Sequence, residues 1–129
     1  MDPLETVRLV AERMNAGDIE GMLDLYDDDI VHQPSPDWPD SKPSKGKAEF
    51  RQITEDWVSL WQSFEIETDR IEAYGDRVLA VGCWRTTGRA SGVEGELPIN
   101  IVYTVRHGRI TRLEWFADHD SAVAAARGT

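Results

Sequence analysis

The chain has 129 residues, 40% of them hydrophobic, with five tryptophans and a formal net charge of −10. This fits one globular domain, residues 1–129, with a core of its own, and excludes a disordered chain, while the acidity makes it a poor partner for nucleic acid or anionic membranes. A single cysteine, Cys83, excludes an intrachain disulfide and a zinc-type Cys/His cluster; the charged start without an apolar signal core, and the lack of any apolar run near about 18 residues, lead us to expect a cytoplasmic protein.

Residues 4–15 predict a helix, with Leu4, Val7, Val10, Ala11 and Met14 at helical spacing. "NAGD" ends it: Gly17 suits the position after a helix, and Asp18 can cap a second one carrying Ile19, Met22, Leu23 and Tyr26. "DDDIVHQ" leads into a short strand near Ile30–His32, and the aspartate run reads as a solvated turn, since it lacks calcium-loop spacing. The segment from His32 to Gly46 then holds four prolines and one large aromatic, Trp38. Burying that ring is worth several kcal/mol, at roughly 25 cal/mol per Å² over ~200 Å². The loop is therefore expected to fold back as a lid or plug, the other reading being that Trp38 joins a subunit contact. Gly46 opens a third helix, residues 47–62, whose stripe is Phe50, Ile53, Trp57, Leu60 and Trp61.

Beyond Phe64 the hydrophobic period changes towards two. Hairpins are expected to turn at Gly75–Asp76 and His107–Gly108, and a short helix from about Ser121 to Arg127 closes the chain. Helices come first and antiparallel strands last. The class is α+β, a curved antiparallel sheet with N-terminal helices packed over one face.

A two-residue turn at His107–Gly108 pairs Val105 with Ile110, Val102 with Leu113 and Asn100 with Trp115. One face then carries Asn100, Val102, Thr104, Thr111, Leu113 and Trp115. The other carries Ile99, Ile101, Tyr103, Val105, Ile110 and Phe116. Neither face is plainly polar. Either Asn100 and Trp115 look into a pocket and the Tyr103 face meets a second copy of the chain, or the Tyr103 face is the core and Asn100 meets water.

"NAGDIEGMLDLYDDDIVHQP", the helix start at Gly46 and "VRHGRITRLEWFAD" together resemble the nuclear-transport-factor-two-like superfamily, SnoaL-like branch. The resemblance spans nearly the whole chain. It implies a cone of helices and bent sheet enclosing one hydrophobic pocket, often in a homodimer, and it carries little information on chemistry because this fold hosts many functions. Ketosteroid isomerases share the fold. Aligned through "GDIE", their base carboxylate falls on Pro34, or on Gln33 with one gap, and neither can take a proton. Their catalytic tyrosine falls on Val10. Aligned on "HGRI", their second acid falls on Asn100, an amide that can donate to an oxyanion but cannot act as a base. That alignment favours the pocket-facing assignment of Asn100. In SnoaL-like polyketide cyclases a base aspartate lies near the end of the last strand, and Asp118 is the nearest equivalent; its other reading is a helix cap.

The candidate catalytic residues are therefore Asp118, Asn100 and His32. Candidate ligand-lining residues are Trp38, Trp57, Trp61, Leu113, Trp115, Val10 and Met14. Two functions stand: a binding pocket for a hydrophobic small molecule, favoured by the missing tyrosine and base carboxylate, or a cofactor-independent isomerase or cyclase acting on a hydrophobic carbonyl or polyketide-type substrate by proton abstraction. Neither needs a cofactor or a metal.

Overall fold

The computed structural model describes residues 2–35, 42–88 and 91–128. Helix α1 (Pro3–Asn15) begins where the Asp2 carboxylate accepts the Glu5 N–H at 2.8 Å, and Pro3 occupies a first-turn position that needs no N–H partner. Val7, Val10 and Met14 form its buried stripe. Asp18 accepts the Gly21 N–H and starts α2 (Ile19–Leu23). This helix is shorter than expected: Tyr26 opens β1 (Tyr26–Gln33) instead. The two-residue β2 (Ser44–Lys45) leads through Gly46, at φ 100°, into α3 (Lys47–Ser59). Trp61, expected on that helix, is the first residue of β3 (Trp61–Tyr74).

Strands β4 (Arg77–Gly88), β5 (Glu94–Arg106) and β6 (Arg109–Trp115) follow, then helix α4 (His119–Arg127). Both hairpins turn where expected, with Tyr74 opposite Arg77 and Arg106 opposite Arg109. The sheet order is β2-β1-β6-β5-β4-β3; β1 runs parallel to β6, and the other neighbours are antiparallel. A bulge between Thr68 and Arg70 bends the long β3–β4 ribbon. Gly82 sits opposite Thr68, where a Cβ would overlap the Glu67 carbonyl oxygen. The strands close up there because that position has no side chain.

The two faces of β5 separate two cores. Ile99, Ile101, Tyr103 and Val105 pack with Val7, Val10, Met14 and Phe50 beneath the N-terminal helices. Val102 faces the other way and packs with Leu79, Ala122 and Ala126, so α4 covers part of the outer face. The Tyr103 face is thus the interior of the cone. The expectation that it meets a second copy of the chain is overturned, and with it the pocket-facing placement of Asn100.

A single residue separates Asn100 from Leu113 and Trp115. Thr104 pairs with Arg112 but Val105 pairs with Ile110, leaving Thr111 as an extra residue in β6. Beyond this bulge every β6 side chain is shifted by one, so Leu113 pairs with Tyr103 and Trp115 with Ile101. Leu113 and Trp115 therefore lie on the inner face, while Arg112 and Glu114 pair with residues that face outward.

No helix among the described residues is long and apolar enough to cross a membrane.

Candidate functional site

Of the three catalytic candidates, only His32 stands inside the cone. It is 7% exposed, pairs with Leu113 across β1 and β6, and lies 5.6 Å, ring to ring, from Phe50. Its Nδ1 is buried and has no hydrogen-bond partner. Burial away from water disfavours the charged imidazolium and pulls its pKa down to about 4, so the ring is neutral at neutral pH.

Phe50 links this histidine to further aromatic rings. Phe50 also contacts Tyr26, with ring centroids 4.6 Å apart. Burial raises the pKa of both Tyr26 and Tyr103, and their interaction raises that of Tyr26 further while opposing the rise at Tyr103. Both hydroxyls stay protonated. Two turns along α3 from Phe50, roughly 10 Å at 1.5 Å per residue, Trp57 begins a second aromatic group. It meets Trp61 edge-on at 5.4 Å and Trp84 at 5.9 Å, and Trp84 stacks on Phe64 at 4.9 Å. The Trp84 Nε1 is buried without a hydrogen-bond partner.

Trp57, Trp61, Leu113, Trp115, Val10 and Met14 all pack in or against this interior core. Trp38 lies outside the described residues, as does the middle of the expected lid, residues 36–41; its far end, Ser44–Lys45, is β2. Asn100 faces outward from β5, opposite Val81, as does Val102, two residues further along the strand. Asp118 is exposed and caps α4: it accepts the Ser121 N–H at 2.7 Å and the Ser121 hydroxyl at 2.9 Å. Those two bonds hold its carboxyl below the usual range, the reverse of what a neutral-pH base needs. Asp118 and Asn100 are therefore not brought together with His32.

Sequence reasoning passed over Tyr26, Phe50, Trp84 and Tyr103 as site residues. Phe50 and Trp57 share one helical face, seven residues apart, and Trp84 alternates with Gly82 and Ala80 on β4; both signals were present.

A profile of the SnoaL-like domain matches residues 7–113. The chain belongs to the SnoaL-like domain family. Solved structures similar to this SnoaL-like protein include an NTF2-like protein of unknown function from Burkholderia pseudomallei, 19% identical over 100% of both chains, with a TM-score of 0.79. A protein from Mesorhizobium loti assigned as a SnoaL-like polyketide cyclase is 24% identical, over 89% of this chain and 98% of its own, with a TM-score of 0.69. TerC, crystallised with polyporic acid, is 19% identical over 98% of each chain, with a TM-score of 0.77. At these identities the likeness is one of fold. No curated protein matches the chain.

Two clefts lie away from His32 in this SnoaL-like fold. One of about 420 Å³ runs between α1 and β3, beside Arg8, Glu12 and Asp69. The other, about 640 Å³, lies at the ends of β3, β4 and β5 beside Phe64, Arg85 and Thr86. Phe64 connects the second cleft to the aromatic group, because its ring stacks on Trp84.

Proposed function

We propose that this SnoaL-like protein binds an apolar, aromatic small molecule within the cone, against Phe50 and the Trp57–Trp61–Trp84–Phe64 group, with His32 as a polar contact. The observation that carries this reading is the buried, unpartnered Nδ1 of His32 beside the Phe50 ring. A buried polar atom without a partner costs about 1–3 kcal/mol, and a ligand group that meets it recovers that cost. Aromatic walls with a few convergent polar atoms are the usual composition of small-molecule sites.

The alternative is a cofactor-independent isomerase or cyclase. It requires a base, and of the residues expected to serve, only His32 is inside. An imidazole whose pKa is lowered to about 4 holds a proton weakly. Binding without proton abstraction is therefore the reading the residues support.

Polyporic acid, the compound crystallised with TerC, serves as a probe. Tryptophan fluorescence should be quenched saturably on titration. Trp57→Ala should weaken binding by roughly 1–3 kcal/mol, the usual cost of a buried aromatic contact. Quenching that never saturates, or that is the same in both proteins, would count against an interior site.

A further inference from the structure

His32 has a neighbour whose position adds to this reading. Strands β1 and β2 pair antiparallel, with His32 directly opposite Ser44. Directly opposed residues project from the same face of a sheet, with Cβ atoms about 4.5–5.5 Å apart. The Ser44 Oγ is buried and has no hydrogen-bond partner, as is the His32 Nδ1. Ser44 is held in place by its surroundings. The Gly46 N–H donates to the Ile30 carbonyl at 2.8 Å, and the Lys45 N–H donates to the Glu49 carboxylate at 3.1 Å. No hydrogen bond joins the two side chains, so each keeps its hydrogen-bonding capacity for a third group.

We propose that His32 Nδ1 and Ser44 Oγ form a two-atom polar notch that takes one hydroxyl group, phenolic or enolic, of an aromatic ligand. The inference rests on the interior-binding reading above and names the group the ligand must carry. A hydroxyl both donates and accepts, and it satisfies the notch in either tautomer of the neutral ring. If Nδ1 is bare, the ligand donates to it and accepts from Ser44. If Nδ1 carries the proton, the ligand accepts from it and donates to Ser44. A carbonyl oxygen can only accept, so it fits one tautomer alone. The rings beside the notch, Phe50 at 5.6 Å from His32 and Tyr26 at 4.6 Å from Phe50, suit the aromatic body to which a phenol or enol is attached.

p-Cresol and toluene, which differ by one hydroxyl, provide the test. Binding of each is followed by amide chemical shifts in the full chain. The parent should bind p-cresol at least fivefold more tightly than toluene. Ser44→Ala, a small change at the sheet edge, should bring p-cresol down to the toluene level and leave toluene within twofold of its parent affinity. His32→Gln should do the same, and if it does not fold, Ser44→Ala still decides. If Ser44→Ala preserves the preference for p-cresol, the notch is wrong while the interior site stands. If both compounds bind alike in the parent, the notch is equally wrong. If neither compound shifts any interior amide, the interior-binding reading falls and takes the notch with it.

Discussion

A neutral, buried imidazole at His32 makes folding sensitive to acid over a definite window. In the unfolded chain an ordinary histidine titrates near 6.5, whereas burial lowers the folded value to about 4. The unfolded state therefore binds the proton first as pH falls. The stability is fully present above pH 6.5 and is lost progressively between 6.5 and 4, by up to ~3 kcal/mol at 1.36 kcal/mol per unit. Urea unfolding at pH 7.5, 5.5 and 4.5 should show this loss in the parent and a clearly smaller one in His32→Gln. A parent and a variant that lose stability in parallel would place His32 in water. The same residue shows what a sequence can and cannot disclose about a site. "VHQ" at the end of a strand marks His32 as present, but its burial depends on Phe50, eighteen residues on, and Leu113, eighty-one residues on. Asp118 is the opposite case: with Ser121 three residues later it already has the pattern of a cap, and the structure uses it as one.

Among the elements, β6 decides the site. Both turns around it and its partners are legible, because positive φ at His107 (54°) and Gly108 (76°) is what a two-residue hairpin demands. The helix stripes are legible too, since Val7, Val10 and Met14 repeat at helical spacing and are all buried. The bulge is not. One residue inserted into a strand changes no hydrophobic count, yet it reverses the orientation of all that follows. This is why strict alternation put Asn100 on one face with Leu113 and Trp115, which alone turn inward. The boundary between α2 and β1 was misread for a related reason: Tyr26 fits the helical period, but its ring is anchored by Phe50. Deleting Thr111 tests the bulge directly. The β5–β6 ladder would become regular with its pairs intact, Arg112 opposite Thr104, Leu113 opposite Tyr103 and Trp115 opposite Ile101, so this variant should fold with the inner core kept. Deleting Arg112 as well would turn Leu113 and Trp115 to the outside. Losing one buried leucine contact alone costs about 2–5 kcal/mol, so the double deletion should unfold the domain or lower its denaturation midpoint sharply. Thr111→Ala, which removes only a 3.3 Å bond to the Thr104 carbonyl, should fold normally. A double-deletion variant as stable as the parent would mean that β6 has no preferred register.

At the scale of the whole molecule, the sheet separates a large inner core from a smaller outer one, and the same substitution should act differently on each side. The outer core is closed by α4, which docks small residues, Ala122 and Ala126, onto Leu79 and Val102. Arg77 donates to the Ala125 carbonyl at 2.8 Å, and the Arg127 guanidinium lies 5.8 Å from the Tyr74 ring centre. The rest of the outer face is polar, with Arg85 bridging Glu67 and Glu96 around the half-buried Cys83. Tyr103 is on the inner side at 6% exposure. Tyr103→Glu would place an uncompensated carboxylate there. A buried charge costs several kcal/mol, or forces the group to stay protonated at similar cost. Against a domain stability of roughly 5–15 kcal/mol, circular dichroism should show an unfolded or loosely packed chain. Cys83→Lys introduces a charge on the outer side, between Glu67 and Glu96, and should leave the spectrum and melting temperature close to those of the parent. Light scattering separates this outcome from the one expected of a subunit contact. If Tyr103→Glu gave a well-folded particle of lower mass than the parent, Tyr103 would lie at an interface between copies, and the assignment of the inner face would have to be reversed.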